Sequence, residues 1–318
     1  MRPDATRRVG CRLRRHLRRE PRERVRPRGR RARRLEFCDR RPDGYRRRGR
    51  PRAQGRGRSR RRPRPGRRVR RRLRRARRSD PDDPRDAEPG FTHAKRALEA
   101  DRHVVLANKG PVAERYEEIR ALAADSAGSI RFEATVGGAI PVLSTIEDCT
   151  PDAVTAVRGV LNGTANFILT RMAAEGLDYE HVLTEAQDLG VAEADPTFDV
   201  DGTDAALKFV ILANVLNDGG FSLEDADVDG IQNIPGSALE LAAEDGRTIR
   251  LIGEASREGV RVGPRLVPEH GALAVTGTQN IVEIETRHAG SLASSGRGAG
   301  GPETATAVLS DVGRLPEL

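Results

Sequence analysis

Tryptophan is missing from all 318 residues, aromatic side chains make up 3% of them, and there are only three lysines, three cysteines and two methionines. Each scarcity closes off a class of protein. Cys11, Cys38 and Cys149 are odd in number and stand at no metal-ligand spacing, and the six histidines form no H-x-x-x-H pair. Neither a disulfide framework nor a zinc site is expected. The longest apolar stretch, FVILANVL at 209–216, falls far short of the roughly 20 residues that cross a bilayer as a helix. The N-terminus has charge but no apolar segment behind it, so no secretory signal is expected. These absences together predict a cytoplasmic chain without a membrane partner.

Lysine use also divides the chain. Residues 1–79 hold 38 arginines, no lysine and 6 acids, a net charge of +32, whereas residues 80–318 hold 19 basic and 41 acidic residues, a net charge of −22. The first part shows no apolar period of 2 or 3.6 residues and has too few large apolar side chains to offset chain entropy, so disorder is expected there. Three readings stay open for it. One is an arginine-rich arm that holds nucleic acid through phosphate charge and counterion release; another is GC-rich DNA read out of frame, whose codons favour Arg, Pro, Gly and Ala; the third is a plain disordered tail. With only Phe37 and Tyr45 to stack on bases, sequence-specific reading of RNA is not expected. In the second part the acids are scattered rather than clustered, which points to adaptation to high salt, where self-repulsion is screened.

Five stretches of the acidic part carry chemistry. DGTDAALKFVILANVL at 201–216 is apolar at Ala206, Phe209, Val210, Ala213 and Leu216, a helical period with Asp201 or Thr203 as N-cap. Asp204 and Lys208, four apart, share a face. An isolated pair of this kind is worth only about 0.2–0.5 kcal/mol, but the apolar run after Lys208 implies a buried helix whose first turn faces a cleft. A lysine there, amid Glu193, Asp199 and Asp204, suits a proton donor or a counter-ion to a substrate carboxylate, and the acids suit a substrate ammonium. RHVVLANKGPVA at 102–113 reads as strand, polar tip and helix, with Lys109 on the tip, where open α/β sheets place ligands. FEATVGGAIPVLSTI at 132–146 turns on Gly137 and Gly138, which either permit a strand-to-helix turn or let carbonyls converge on a cation. RGVLNGTANFIL at 158–169 sets an Asn-Gly turn before an apolar helix. GRGAGGPETATAVLSDV at 296–312 is a glycine loop entering a helix, whose free backbone N–H groups can cradle an anion.

With those stretches in that order, and with AQDLGVAEADPTFDVDGTDAALK as the most specific of them, the chain from about Glu88 onward resembles the homoserine dehydrogenase family. The resemblance implies reduction of L-aspartate 4-semialdehyde to L-homoserine with NADPH or NADH, on the route to threonine and methionine. It implies Lys208 as the catalytic lysine, Asp204 as its acidic partner, and Lys109 at the boundary of cofactor and substrate. Glu193 and Asp199 would hold the substrate ammonium, and Gly300 would face the cofactor. Glu133, Val136, Gly138 and Ile140 would hold a structural sodium ion, and the chain would form a homodimer. The implied fold is α/β, with a remnant of a parallel dinucleotide-binding sheet at 80–135. An α+β substrate and dimerisation domain would follow at 136–297, then a return to the nucleotide domain at 298–318.

Departures from the family pattern matter too. The nearest string to its glycine turn, GRGRSR at 55–60, lacks the third glycine, follows no apolar strand and precedes no helix. Poor cofactor binding is therefore expected, and the choice between NAD and NADP is not readable. Leu106 stands where the family has a small polar residue, and no regulatory domain is expected after residue 318. A rival reading makes the body an inactive dimeric relic carrying a nucleic-acid arm. If the scattered acids reflect salt adaptation, the melting midpoint of residues 80–318 should rise from low salt to 1 M, where the Debye length is about 3 Å. A flat or falling midpoint would remove that reading.

Overall fold

The computed structural model describes residues 87–316. The arginine-rich segment and the start of the expected nucleotide-domain remnant lie outside the described residues. Helix α1 (Ala87–Leu98) buries Ala87, Phe91, Ala94 and Leu98, one stripe at helical spacing. Strand β1 (Val104–Val105), helices α2 (Lys109–Glu114) and α3 (Tyr116–Ala124) and strand β2 (Ile130–Arg131) follow. β1 and β2 pair in parallel, Val104 opposite Ile130, and the two helices supply the crossover that parallel strands need.

Beyond a 3-10 turn at Glu133–Thr135 come α4 (Val142–Cys149), β3 (Val154–Val160), α5 (Gly163–Glu175), α6 (Tyr179–Asp188), α7 (Thr197–Val200) and α8 (Thr203–Asn217). The chain continues as β4 (Ala226–Val228), α9 (Gly236–Glu244), β5 (Arg247–Ser256), β6 (Val260–Pro268), β7 (Gln279–Thr286), β8 (Gly290–Arg297) and α10 (Gly301–Gly313). The six strands β3–β8 form one sheet in the order β4-β6-β5-β3-β7-β8. All neighbours are antiparallel except β4 and β6. The mixed α/β class agrees with the sequence.

Helix α8 decides the packing. It is buried continuously from Asp204 to Asn214, as its all-round apolar sequence requires. It lies on one face of the sheet, where the Phe209 ring covers β5 at Gly253 so closely that a Cβ there would overlap the ring. Residues of α5, α8 and α9 join Val157, Leu251 and Ala255 in one large core, which also takes in Val112, Ala113 and Tyr116 from α2 and α3. The other face has a smaller apolar cluster, Val160, Ile252, Val267 and Ile281, covered by Leu273, Ala274 and Val275. Beside it, half-exposed Arg158 pairs with Glu254 and Glu285. No helix among the described residues is long and apolar enough to cross a membrane.

Gly253→Ala should therefore destabilise the fold by about 1–3 kcal/mol, the usual cost of overpacking a core. Urea midpoints of the two chains measure it.

Candidate active site

Three turns bring distant residues to one point. At the first, the Asn108 side chain accepts the Gly110 N–H and caps α2, which sets Lys109 at that helix's start, at the C-terminal end of β1. At the second, the Asp201 carboxylate accepts the Thr203 N–H at 2.8 Å. The N-cap of α8 is Gly202, at φ +88, a conformation that costs glycine nothing and side chains much. Asp204 is thereby placed in the first turn. The third turn joins β3 to α5, where Asn162 caps α5 by accepting the Ala165 N–H at 2.8 Å.

Asp204 sits at the centre, 5% exposed. Its Oδ1 accepts from the Lys109 ammonium. Its Oδ2 accepts from Lys208 Nζ at 2.8 Å and from Asn162 Nδ2 at 2.9 Å. Lys208, 8% exposed, also donates to the Leu161 carbonyl at 2.6 Å. Asn162 Nδ2 donates to Asp199 Oδ1 at 2.7 Å. Lys109 lies over the Phe198 ring, 5.5 Å from its centroid.

The electrostatics follow from burial and mutual charge. Burial alone would raise the Asp204 pKa, but Lys208 and Lys109 outweigh it and hold the carboxyl well below the usual range. Burial lowers the Lys208 pKa, opposed by Asp204 and reinforced by Lys109. Burial raises that of Asp199, against the hydrogen bond from Asn162. Of the three protons on the Lys208 ammonium, two are engaged, leaving one for an acceptor oxygen.

Not every expected residue joins this cluster. Lys109, Asp199, Asp204 and Lys208 do. Glu193 is exposed on the loop between α6 and α7, and its carbonyl accepts from Gln187 Nε2 at 3.1 Å. Gly300 is the N-cap of α10, at φ +127, with no side-chain cap on that helix. Glu133 is buried and its carboxylate accepts three N–H groups of α4, those of Val142, Leu143 and Ser144, each at 2.8 Å. The Glu133 carbonyl accepts from Val136 and that of Ile140 from Val142. Gly138, at φ +59, meets the loop before α10, where a Cβ would strike the Gly298 carbonyl. No cluster of His, Cys, Asp and Glu side chains suited to a metal ion occurs among the described residues.

Two participants were missed from sequence: the Leu161 carbonyl and the Asn162 side chain. The Asn-Gly pair at 162–163 reads as a turn, and the available signal was that an asparagine preceding a helix is also an N-cap.

A parallel strand pair ending in a polar tip, a buried ammonium over that tip and a glycine turn before α10 define an α/β chain of the dehydrogenase type. A profile described as homoserine dehydrogenase matches residues 141–312. The chain is 44% identical over 226 residues to the homoserine dehydrogenase of Methanocaldococcus jannaschii, covering 71% of this chain and 67% of that one. It is 45% identical over 222 residues to that of Bacillus subtilis, covering 68% and 51%. A hyperthermophilic archaeal homoserine dehydrogenase solved in complex with NADPH superposes with a TM-score of 0.62 at 32% identity, over 70% of this chain and 66% of its own. The chain therefore belongs to the homoserine dehydrogenase family, and its matched part spans between half and two thirds of the length of these relatives.

Removing the central carboxylate exposes its electrostatic role. Asp204→Asn leaves the Lys208 ammonium buried without its anion and should cost about 3–5 kcal/mol at neutral pH. Because the folded pKa of Asp204 is depressed, its stabilisation is complete above the unfolded value of about 3.9 and is lost as pH falls through the folded value. The gap between mutant and parent should therefore narrow as pH drops below about 4. Denaturant midpoints against pH test the trend.

Proposed function

We propose that this chain performs the chemistry of its family, reduction of L-aspartate 4-semialdehyde to L-homoserine with NADPH or NADH, in threonine and methionine biosynthesis in the cytoplasm. One observation carries the reading: Lys208 is buried, held by Asp204 and Leu161, and retains one uncommitted proton. That is the disposition of a general acid, with the proton aimed where an aldehyde oxygen becomes an alkoxide. Asp204 keeps the ammonium charged against burial. Lys109, on the more open side, lies at the boundary of cofactor and substrate, and Asp199 with Glu193 takes the substrate ammonium.

The described residues suit one wall of a dinucleotide site. β1 ends at the polar tip of Asn108 and Lys109, and α10 opens at Gly300 with no side chain capping its first N–H groups, a geometry suited to a phosphate. The nicotinamide, when bound, supplies the hydride to the aldehyde carbon. Lys109 and Gly300 are the residues assigned to hold it. No stretch of the sequence over residues 1–79 reads as an apolar strand, a glycine turn and a helix for the other wall, so cofactor affinity is expected to be weak in this chain.

A structural sodium ion, if present, is held by the carbonyl oxygens of Glu133, Val136, Gly138 and Ile140; the Glu133 carboxylate is occupied by α4. The division proposed is a nucleotide-domain remnant at 80–135, a catalytic and dimerisation domain at 136–297, and a return at 298–318. What supports a homodimer is the second face of the large sheet. Beside its covered apolar cluster, the partly exposed side chains of Arg158, Glu254 and Glu285 carry both signs of charge, a surface able to pair with its own copy.

Lys208→Ala, in the chain supplied with a complete nucleotide half, should lower turnover by about 10²- to 10⁴-fold. A rate within a few-fold of the parent removes the general-acid role. Glu193→Gln should raise KM for homoserine more than it lowers kcat, because an ammonium contact is present in ground and transition states alike. An unchanged KM would count against that assignment.

A further inference from the structure

The turn between β3 and α5 touches both members of the central ion pair from consecutive residues. The Leu161 carbonyl takes one proton of Lys208, and the Asn162 amide donates to Asp204 Oδ2, the same oxygen that Lys208 uses. The second N–H of that amide goes to Asp199, and its oxygen is spent on capping α5. Asn162 is 3% exposed, and its bonds to protein leave it no freedom to rotate. A primary amide is well suited to this position among side chains of its size, because it offers two donors and an acceptor in one rigid plane.

Two carboxylates sharing one group would ordinarily repel, or share a proton. A neutral amide between them lets Asp199 and Asp204 both stay ionised at fixed separation. It also fixes the plane of Asp204 so that Oδ1 faces Lys109 while Oδ2 faces Lys208. If that plane rotates, the two lysines lose their separate oxygens, and the uncommitted proton of Lys208 loses its direction.

We propose that Asn162 is the positioning residue of this site: it sets the Asp204 carboxylate, and through it the Lys208 ammonium, while holding Asp199 toward the substrate amine. The inference rests on the function proposed above for the substrate, but not for the geometry of Lys208. The bland alternative is that Asn162 only caps a helix. Serine and threonine also cap helices, yet neither can donate to two carboxylates at once. Substitution by either therefore separates the two roles.

The chain has only three lysines, so lysine labelled with ¹³C at Cε gives three side-chain signals, and that of Lys208 is the one lost in Lys208→Arg. A fixed ammonium makes its two ε protons inequivalent, whereas a mobile one averages them. In the parent, the Lys208 ε protons should be resolved. In Asn162→Ser they should merge, with a melting midpoint close to the parent's because the cap is kept. Asn162→Thr is the second variant, should the serine chain not fold, and the same loss of inequivalence is expected there. Resolved ε protons in either folded variant overturn the proposal and leave Asn162 as a cap.

Homoserine titration, in the chain supplied with a complete nucleotide half and with oxidised nicotinamide cofactor present, supplies the second arm at pH 6 and pH 8. The charged groups of the site are Lys109 from α2, Asp199 from α7, and Asp204 and Lys208 from α8, with Glu193 assigned to it from the exposed loop between α6 and α7. Affinity in Asn162→Ser should be at least tenfold weaker than in the parent, with the larger gap at the lower pH, because burial raises the Asp199 pKa and the hydrogen bond from Asn162 opposes it. Affinity within twofold of the parent at both values would overturn the Asp199 half of the proposal. A parent that binds no homoserine sinks the substrate assignment instead, and the lysine signals still decide the geometry.

Discussion

A carboxylate as deeply buried as Asp204 would normally take up a proton, since removing charge from water costs far more than a neutral acid does. Two lysines and an amide reverse that outcome here. Every other feature of the site depends on it. If Asp204 were neutral, Lys208 would lose the charge that offsets its own burial and would be no proton donor. Lys109 and Asn162 would lose their common partner. The ion pair is thus less a source of stability than a device for keeping a proton available in an apolar setting, a role in which buried pairs are better attested than in stabilisation.

The fold is arranged around that requirement. α8 is apolar on most sides because it runs between the sheet and the helices above it, and its charged side chains, Asp204 and Lys208, are confined to its first two turns. Gly202 and Asp201 set the angle at which it starts, while Gly253 lets Phe209 seat the middle of the helix against β5. The helix is therefore anchored by packing at the end that does no chemistry. Rigid support of this kind is what a site needs when a displacement of about 1 Å costs orders of magnitude in rate.

Glu133 joins two parts of the chain that lie far apart in sequence. The Glu133 carboxylate accepts three N–H groups at the start of α4, and the Glu133 N–H donates to Asp311 of α10. This acid ties the segment after β2 to the last helix. Gly138 does the same from the other side, because only a residue without a side chain tolerates the approach of Gly298. The expected turn at 137–138 and the glycine loop at 296–301, far apart in sequence, are thus one packed structure.

Local pattern was enough for much of this. The apolar period over 201–216 determined α8, the pairing of Asp204 with Lys208 on one face followed from a four-residue spacing, and the strand, tip and helix at 102–113 set Lys109 at the end of a parallel strand. The division of charge near residue 80 was likewise visible in composition alone. What composition and period do not contain is which turn meets which helix. Lys109 reaching Asp204 across 95 residues, Asn162 joining Asp199 to Asp204, and the Leu161 carbonyl taking a lysine proton depend on the antiparallel placement of β3 at the centre of the sheet and of α8 across it. A backbone carbonyl has no sequence signature, and an asparagine that caps a helix looks the same whether its amide points to solvent or to two aspartates. Only tertiary packing decides where those donors and acceptors point, because burial leaves them no water to turn to.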